Sequence, residues 1–179
     1  MSTTLSLVSE LERLAGAIST EDAESSQVSL ASVADKIAKT LGVRSEEVAI
    51  LALSTRWKHL HFLVPAALKN VGFVPLSSNS ALAAKTARDS RPEIDNNFIA
   101  ARHATVFEGV KLTGEPAESI QKIVSAPILA DGKVVGVIQI SRKGADPVTA
   151  GPDFTADDLG KILALCKPLG KLVQRTARE

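Results

Sequence analysis

The chain has 179 residues, 45% of them hydrophobic, with 21 basic against 20 acidic side chains and a formal net charge of +1. That suits one domain with a real core, and the near-neutral balance excludes a general electrostatic case for nucleic acid or an anionic membrane surface. No apolar run approaches the ~20 residues of a spanning helix, and the single cysteine, Cys166, excludes an intramolecular disulfide framework or a cysteine-rich zinc module. The N-terminus, MSTTLSLVSELERLAG, carries acids inside its apolar pattern and no basic leader, so it does not read as a secretory signal. A cytoplasmic protein is the expectation.

Leu7, Val8, Leu11, Leu14, Ala15 and Ile18 form a narrow helical stripe over residues 5–18. The polar segment 21–26 reads as a linker, which divides the chain into an N-terminal helix and linker (1–25) and a domain (26–179). A second helix puts Leu30, Val33, Ala34, Ile37 and Leu41 on one face and ends at Gly42, a left-handed cap position. Residues 47–54 and 58–64 read as two strands of a hairpin. PAALKN follows as a short irregular or helical piece. The cluster Ser77–Ser80 offers N-caps to a helix over 81–90, which Arg91-Pro92 stops. Residues 92–95 read as an edge strand, 97–112 as a short helix and then irregular structure, and 113–119 as a loop.

Residues 121–142 carry the strongest local signal, two apolar strands joined by Asp131-Gly132. Pairing outward from that turn predicts Leu129 opposite Val134, Ala126 opposite Val137 and Ile123 opposite Ile140. In this register Ser125 and Gln139 lie on opposite faces. Both faces are mostly apolar, so the hairpin belongs at the centre of a sheet covered on both sides. A Gly/Pro loop (143–153) leads to the last helix. Thr155 and Asp158 suit a capping box, with Phe154 and Leu159 as its hydrophobic staple. The predicted apolar stripe is Leu159, Ile162, Leu163, Cys166, Leu169 and Val173, and Pro168 and Gly170 are expected to kink or weaken the helix. The class that follows is α+β. It has a central antiparallel sheet of about five to six strands, helices on both faces, and N- and C-terminal helices packed together.

Several of these residues resemble the GAF family, whose fold is similar to that of PAS domains. They are Ser125-Ala126-Pro127-Ile128, Asp131-Gly132-Lys133, Val135-Gly136-Val137-Ile138-Gln139-Ile140 and Phe154-Thr155-Ala156-Asp157-Asp158-Leu159. Residues 80–96 resemble the family's helix running into a short strand, and the likeness spans roughly residues 28–175. The resemblance implies a small-molecule sensor of the kind that binds cyclic nucleotides, bilins, haem or small metabolites, often dimeric through its first and last helices. Such domains are usually joined to an output domain. These 179 residues leave no room for one, so the expectation is a protein acting alone or through a partner.

The family places its ligand between the sheet and the middle segment, here about residues 72–112. Polar groups available there are Ser77, Ser78, Asn79, Asn97, Arg102 and His103, with Phe98 and Phe107 as walls and one of Ser125 or Gln139 beneath. The candidate set is therefore Ser78, Phe98, Arg102, His103, Phe107, Ser125 and Gln139, around an unknown small molecule. Arg102 suits a carboxylate or phosphate; equally, Arg102 and His103 read as surface residues over a filled core. His59 and His61 share a strand face that His103 could join to hold zinc or iron, but no metal-binding spacing supports this, so no metal and no particular cofactor is assigned. Stand-alone GAF enzymes include the free methionine-(R)-sulfoxide reductases, which use cysteines around the pocket. This chain has none there, and Cys166 reads as a buried structural thiol. A non-enzymatic ligand-binding sensor is expected, homodimeric through its end helices. The alternatives are a ligand-free interaction module and end helices that simply cover their own sheet.

Overall fold

A computed structural model describes residues 9, 23–65, 73–98 and 119–176. Of the expected first helix (5–18) only Ser9, which is helical, is among them; all of PAALKN but Pro65, and most of 97–118, also lie outside. Helix α1 (Ala23–Leu41) starts within the expected linker and ends at Gly42, whose φ of +69° is the left-handed cap conformation. Strands β1 (Val48–Ser54), β2 (His59–Val64) and β3 (Phe73–Pro75) follow, then α2 (Leu82–Asp89) and β4 (Glu93–Asp95). The hairpin is β5 (Ser119–Ala130) and β6 (Lys133–Gly144). A single helical turn, α3 (Pro147–Ala150), precedes α4 (Ala156–Thr176). The six strands form one antiparallel sheet in the order β3-β2-β1-β6-β5-β4.

β1 reads as an unbroken apolar run because it lies inside the sheet, with both faces covered. Val48, Ile50 and Ala52 join Val124, Ala126, Ile128, Ile138 and Ile140 beneath α1 and α4. Ala49, Leu51, Leu60, Phe62, Ile123 and Val137 line the other face beneath α2. Ala83, Ala84 and Ala87 let α2 sit close to the strands.

The hairpin turns at Asp131-Gly132 as predicted, both residues at positive φ. Its register differs from the prediction. Leu129 pairs with Val134, but Ile128 pairs with Gly136, leaving Val135 as an extra residue. Beyond this bulge Ala126 faces Ile138, Ser125 faces Gln139 and Val124 faces Ile140. A one-residue slip exchanges the faces of one strand relative to the other, so Ser125 and Gln139 share a face instead of opposing one another. The cause is tertiary. β6 also pairs with β1, and a Cβ at position 136 would overlap the Leu51 carbonyl, so only glycine fits there.

Three other expectations need correction. β3 was not expected as a strand; it is a three-residue edge. Residues 147–150 are helical rather than loop, because Asp146 Oδ1 accepts from Thr149 N (2.8 Å) and Asp146 N donates to Thr149 Oγ1 (3.2 Å). The α4 stripe is rotated. Leu163 is 42% exposed, whereas Ile162, Leu165, Cys166, Leu169, Leu172 and Val173 are buried.

α4 begins with the expected capping box: Asp158 N donates to Thr155 Oγ1 (3.2 Å) and Thr155 N to Asp158 Oδ2 (2.9 Å). It continues through Pro168, whose missing N–H leaves the carbonyl of exposed Ala164 to water. Asn96 locks the entry to α4 by donating from Nδ2 to Phe154 O (3.0 Å) and accepting from Phe154 N (2.8 Å). No helix among the described residues is long and apolar enough to cross a membrane.

Two glycines of α4 should respond oppositely to alanine. Around Gly160 nothing lies within 4 Å of an added Cβ, so Gly160→Ala should stabilise by about 0.5–1 kcal/mol through helix propensity. At Gly170 the Cβ would overlap the Leu129 carbonyl, so Gly170→Ala should lose about 1–3 kcal/mol despite the same gain in propensity. Urea unfolding of both variants checks the difference in sign.

Candidate functional site

Among the described residues the α2-covered face is mainly apolar; besides Ser141, which bonds the Glu47 carbonyl, it carries a buried polar group of three residues. Thr86, on α2, points at Ser125 of β5, and Ser125 lies beside Gln139 of β6; all three are buried. Gln139 Nε2 donates to Ser125 Oγ (3.2 Å), Ser125 Oγ lies 2.7 Å from Thr86 Oγ1, and Thr86 Oγ1 donates to the Leu82 carbonyl (2.9 Å). Each hydroxyl has one proton. Thr86 spends its proton on Leu82, so Ser125 donates to Thr86. The chain therefore runs in one direction: Gln139 N–H to Ser125 O–H to Thr86 O–H to Leu82 C=O. Such a chain is cooperative and costly to interrupt. It uses one of the two N–H donors of Gln139.

Thr86 was not anticipated as a site residue. The signal was present: Ala83, Thr86 and Ala87 stand at i, i+3 and i+4 in the helix, so a hydroxyl shares the buried stripe with two alanines. Ser78 sits apart from the polar chain. Its Oγ accepts from Ala81 N (3.1 Å) and lies 3.5 Å from Ser80 Oγ, organising the turn into α2. Arg88 fastens the same turn through the carbonyls of Leu76 and Ser78. Phe98 is buried in the core of the α2-covered face, with its N–H bonded to the Gln121 carbonyl (3.0 Å). Arg102, His103 and Phe107 lie outside the described residues.

His59 and His61 share a face of β2 with ring centroids 6.1 Å apart, and His59 stacks on Phe73 at 4.1 Å. Among the described residues no group of three or more metal-ligating side chains converges. Cys166 is buried on α4, beneath the opposite face of the sheet, and burial pushes its thiol up to about 12.

The molecule is thus an α+β domain whose sheet is sealed by its long helices on one side and carries a buried polar group on the other. Its fold is that of a GAF domain. The GAF domain of an Acinetobacter phosphoenolpyruvate-protein phosphotransferase superposes with a TM-score of 0.66 at 19% identity, covering 95% of this chain and 92% of that one. The GAF domain of the same enzyme from Coxiella burnetii gives 0.64 at 10% identity, covering 98% and 94%. A free methionine-R-sulfoxide reductase from Neisseria meningitidis, solved with its substrate, gives 0.60 at 14% identity, covering 97% and 89%. No family model and no curated protein matches the sequence.

Ser125→Ala removes the middle of the polar chain, leaving a Gln139 N–H without its acceptor and Thr86 without its donor. It should destabilise by about 1–3 kcal/mol. Adding Thr86→Val removes one of the orphaned partners, so the double variant should lose less than the sum of the singles. Chemical denaturation of the four species of the cycle reads the coupling. The buried thiol adds a pH effect. The folded chain holds the Cys166 proton to about 12 whereas the unfolded chain releases it near 9.0, so stability should fall as pH rises between those values. Cys166→Ala should flatten that part of the profile.

Proposed function

We propose that this chain is a GAF-type sensing module that binds a small molecule against the α2-covered face of its sheet and acts alone or through a partner. The observation that carries the reading is the polar chain Thr86–Ser125–Gln139, set into a face otherwise lined by Leu51, Leu60, Phe62, Ile123 and Val137. An apolar surface with a few fixed polar groups is what a small-ligand site needs. Gln139 still has an amide oxygen and a second N–H beyond the bond to Ser125, and both can read a polar ligand atom. Arg102, His103 and Phe107 are the further candidate contacts, with Phe98 as a core wall and Ser78 shaping the α2 turn.

A ligand-free interaction module is the second reading. Its support is the mutual satisfaction of the polar chain beneath a closely packed α2. The outward side of α4, with Leu163 exposed and Leu159 half-buried, offers apolar surface to a second copy. The structural likeness to a free methionine-R-sulfoxide reductase raises an enzymatic reading. Cys166 argues against thiol catalysis: it lies beneath the other face, and a thiol raised to about 12 is almost wholly protonated at neutral pH and a poor nucleophile.

Native mass spectrometry of the purified protein, followed by a denaturing spectrum, tests these readings together. The sensor predicts a co-purifying small mass that Gln139→Leu releases while the fold persists. An apo species that no metabolite mixture shifts would favour the interaction module. A dimer that becomes monomeric in Leu163→Glu would support assembly through α4, and a wild-type monomer would remove it.

A further inference from the structure

A cleft lies away from the polar chain, at the end of the sheet where α1 finishes. It is open, encloses about 690 Å³, and runs between the turn after α1, the end of β6 and the α3 segment. Arg44, Glu47, Arg142, Lys143, Thr149 and Gly151 line it, among several small residues that leave backbone close to its surface. Three of these side chains are cationic and one is acidic. Glu47 is already committed: its carboxylate accepts from Lys143 N (2.6 Å), Arg44 N (2.8 Å) and Arg44 Nε (3.3 Å).

Arg142 is the unusual group. It is only 9% exposed, and no carboxylate among the described residues pairs with it. Nη1 donates to the Gly42 carbonyl (3.0 Å), Nη2 to the Leu41 carbonyl (3.2 Å), and the guanidinium lies 4.9 Å from the centre of the Phe154 ring. Nε is buried without a partner. A helix C-terminus carries about half a negative charge, so these carbonyls balance only about half of the guanidinium. Buried charges are normally fully paired. The contrast stands directly across the ladder: Lys122, opposite Arg142 on β5, is equally buried but holds Asp153 at 2.8 Å and the Gly151 carbonyl at 2.6 Å.

We propose that this cleft is an anion site, separate from the α2-covered face, which takes the oxyanion group of a small molecule, a phosphate or a carboxylate. Arg142 supplies the buried counter-charge and Lys143 contributes at the rim, whereas Arg44 is already paired with Glu46 (3.5 Å) and Glu47 (3.3 Å). The cleft is roomy enough to hold more than the anionic group alone, so the ligand is a small metabolite carrying that group.

Amide ¹H–¹⁵N spectra of the full chain, titrated with sodium phosphate or sodium acetate at constant ionic strength set by sodium chloride, test the proposal. Saturable shifts are expected at Lys143, Gly144 and Gly151. In Arg142→Gln the apparent Kd should rise roughly tenfold, the scale of a lost charge-assisted contact. Saturation by phosphate alone assigns a phosphate-bearing ligand, and saturation by acetate a carboxylate. Failure of both anions to shift these amides saturably, or an unchanged Kd in Arg142→Gln, would overturn the proposal. Should Arg142→Gln lose its folded dispersion, Lys143→Gln decides: a weaker Kd supports the site and an unchanged one overturns it.

Discussion

The close approach of Gly136 to the Leu51 carbonyl sets the register on which the rest of the sheet depends. β6 must pair with β5 on one side and β1 on the other, and only a residue without a Cβ can sit at that crossing. The chain accommodates the approach by bulging at Val135, and the bulge moves the pairs from Ile128–Gly136 to Lys122–Arg142 by one, until a second irregularity beside Gln121 restores the register at Ile120–Lys143. Ser125 is thereby brought across from Gln139, on the face that α2 covers. Val124, Ala126 and Ile128 turn to the face beneath α1 and α4. A second glycine, Gly170, lets α4 descend onto the carbonyl of Leu129 at the far end of the same hairpin. Two absent side chains thus locate the helix on one face and the polar group on the other.

Features governed by local chemistry were legible in the sequence. The Asp131-Gly132 turn, the Thr155–Asp158 box, the Gly42 cap and the β1–β2 hairpin each depend on residues a few positions apart. Features governed by distant contacts were not. Nothing near Val135 announces a bulge, because its cause is Leu51, more than eighty positions away in the chain. The α4 stripe was misjudged because Leu163 and Leu165 are equally apolar; only the placement of the sheet decides that Leu165 faces it. The helical spacing of Thr86 with Ala83 and Ala87 marks a hydroxyl on the buried stripe, but nothing in α2 names its partner on β5. Nothing local to Arg142 marks it as buried, because its burial depends on α1 finishing above it.

Two polar features of the interior answer burial in different ways. On the α2-covered face the groups are neutral, and each hydroxyl both accepts and donates, so the chain closes on the Leu82 carbonyl without charge. Opening it would expose unpaired donors in an apolar setting, which makes α2 hard to slide along the sheet. At the end of the sheet the groups are charged. Lys122 and Arg142 are like charges directly opposite on neighbouring strands, an arrangement that repels unless each finds its own partner. Lys122 has Asp153. Arg142 has carbonyl dipoles and a ring face, which orient a guanidinium but do not cancel it.

Phe154 joins the Arg142 end of the sheet to the segment that follows β4. Its ring lies under Arg142, its backbone N–H and carbonyl are both held by the side-chain amide of Asn96, and it belongs to the same core cluster as Leu159 of α4. Asn96 follows β4 directly and precedes Phe98, whose N–H bonds to β5. A displacement of the segment after β4 would therefore reach the first turn of α4 through two hydrogen bonds to a single residue. A change in the charge balance around Arg142 would reach that same residue from the other side. The start of α4 is thus held from two directions, by Asn96 after β4 and by the guanidinium of Arg142 at the end of the sheet.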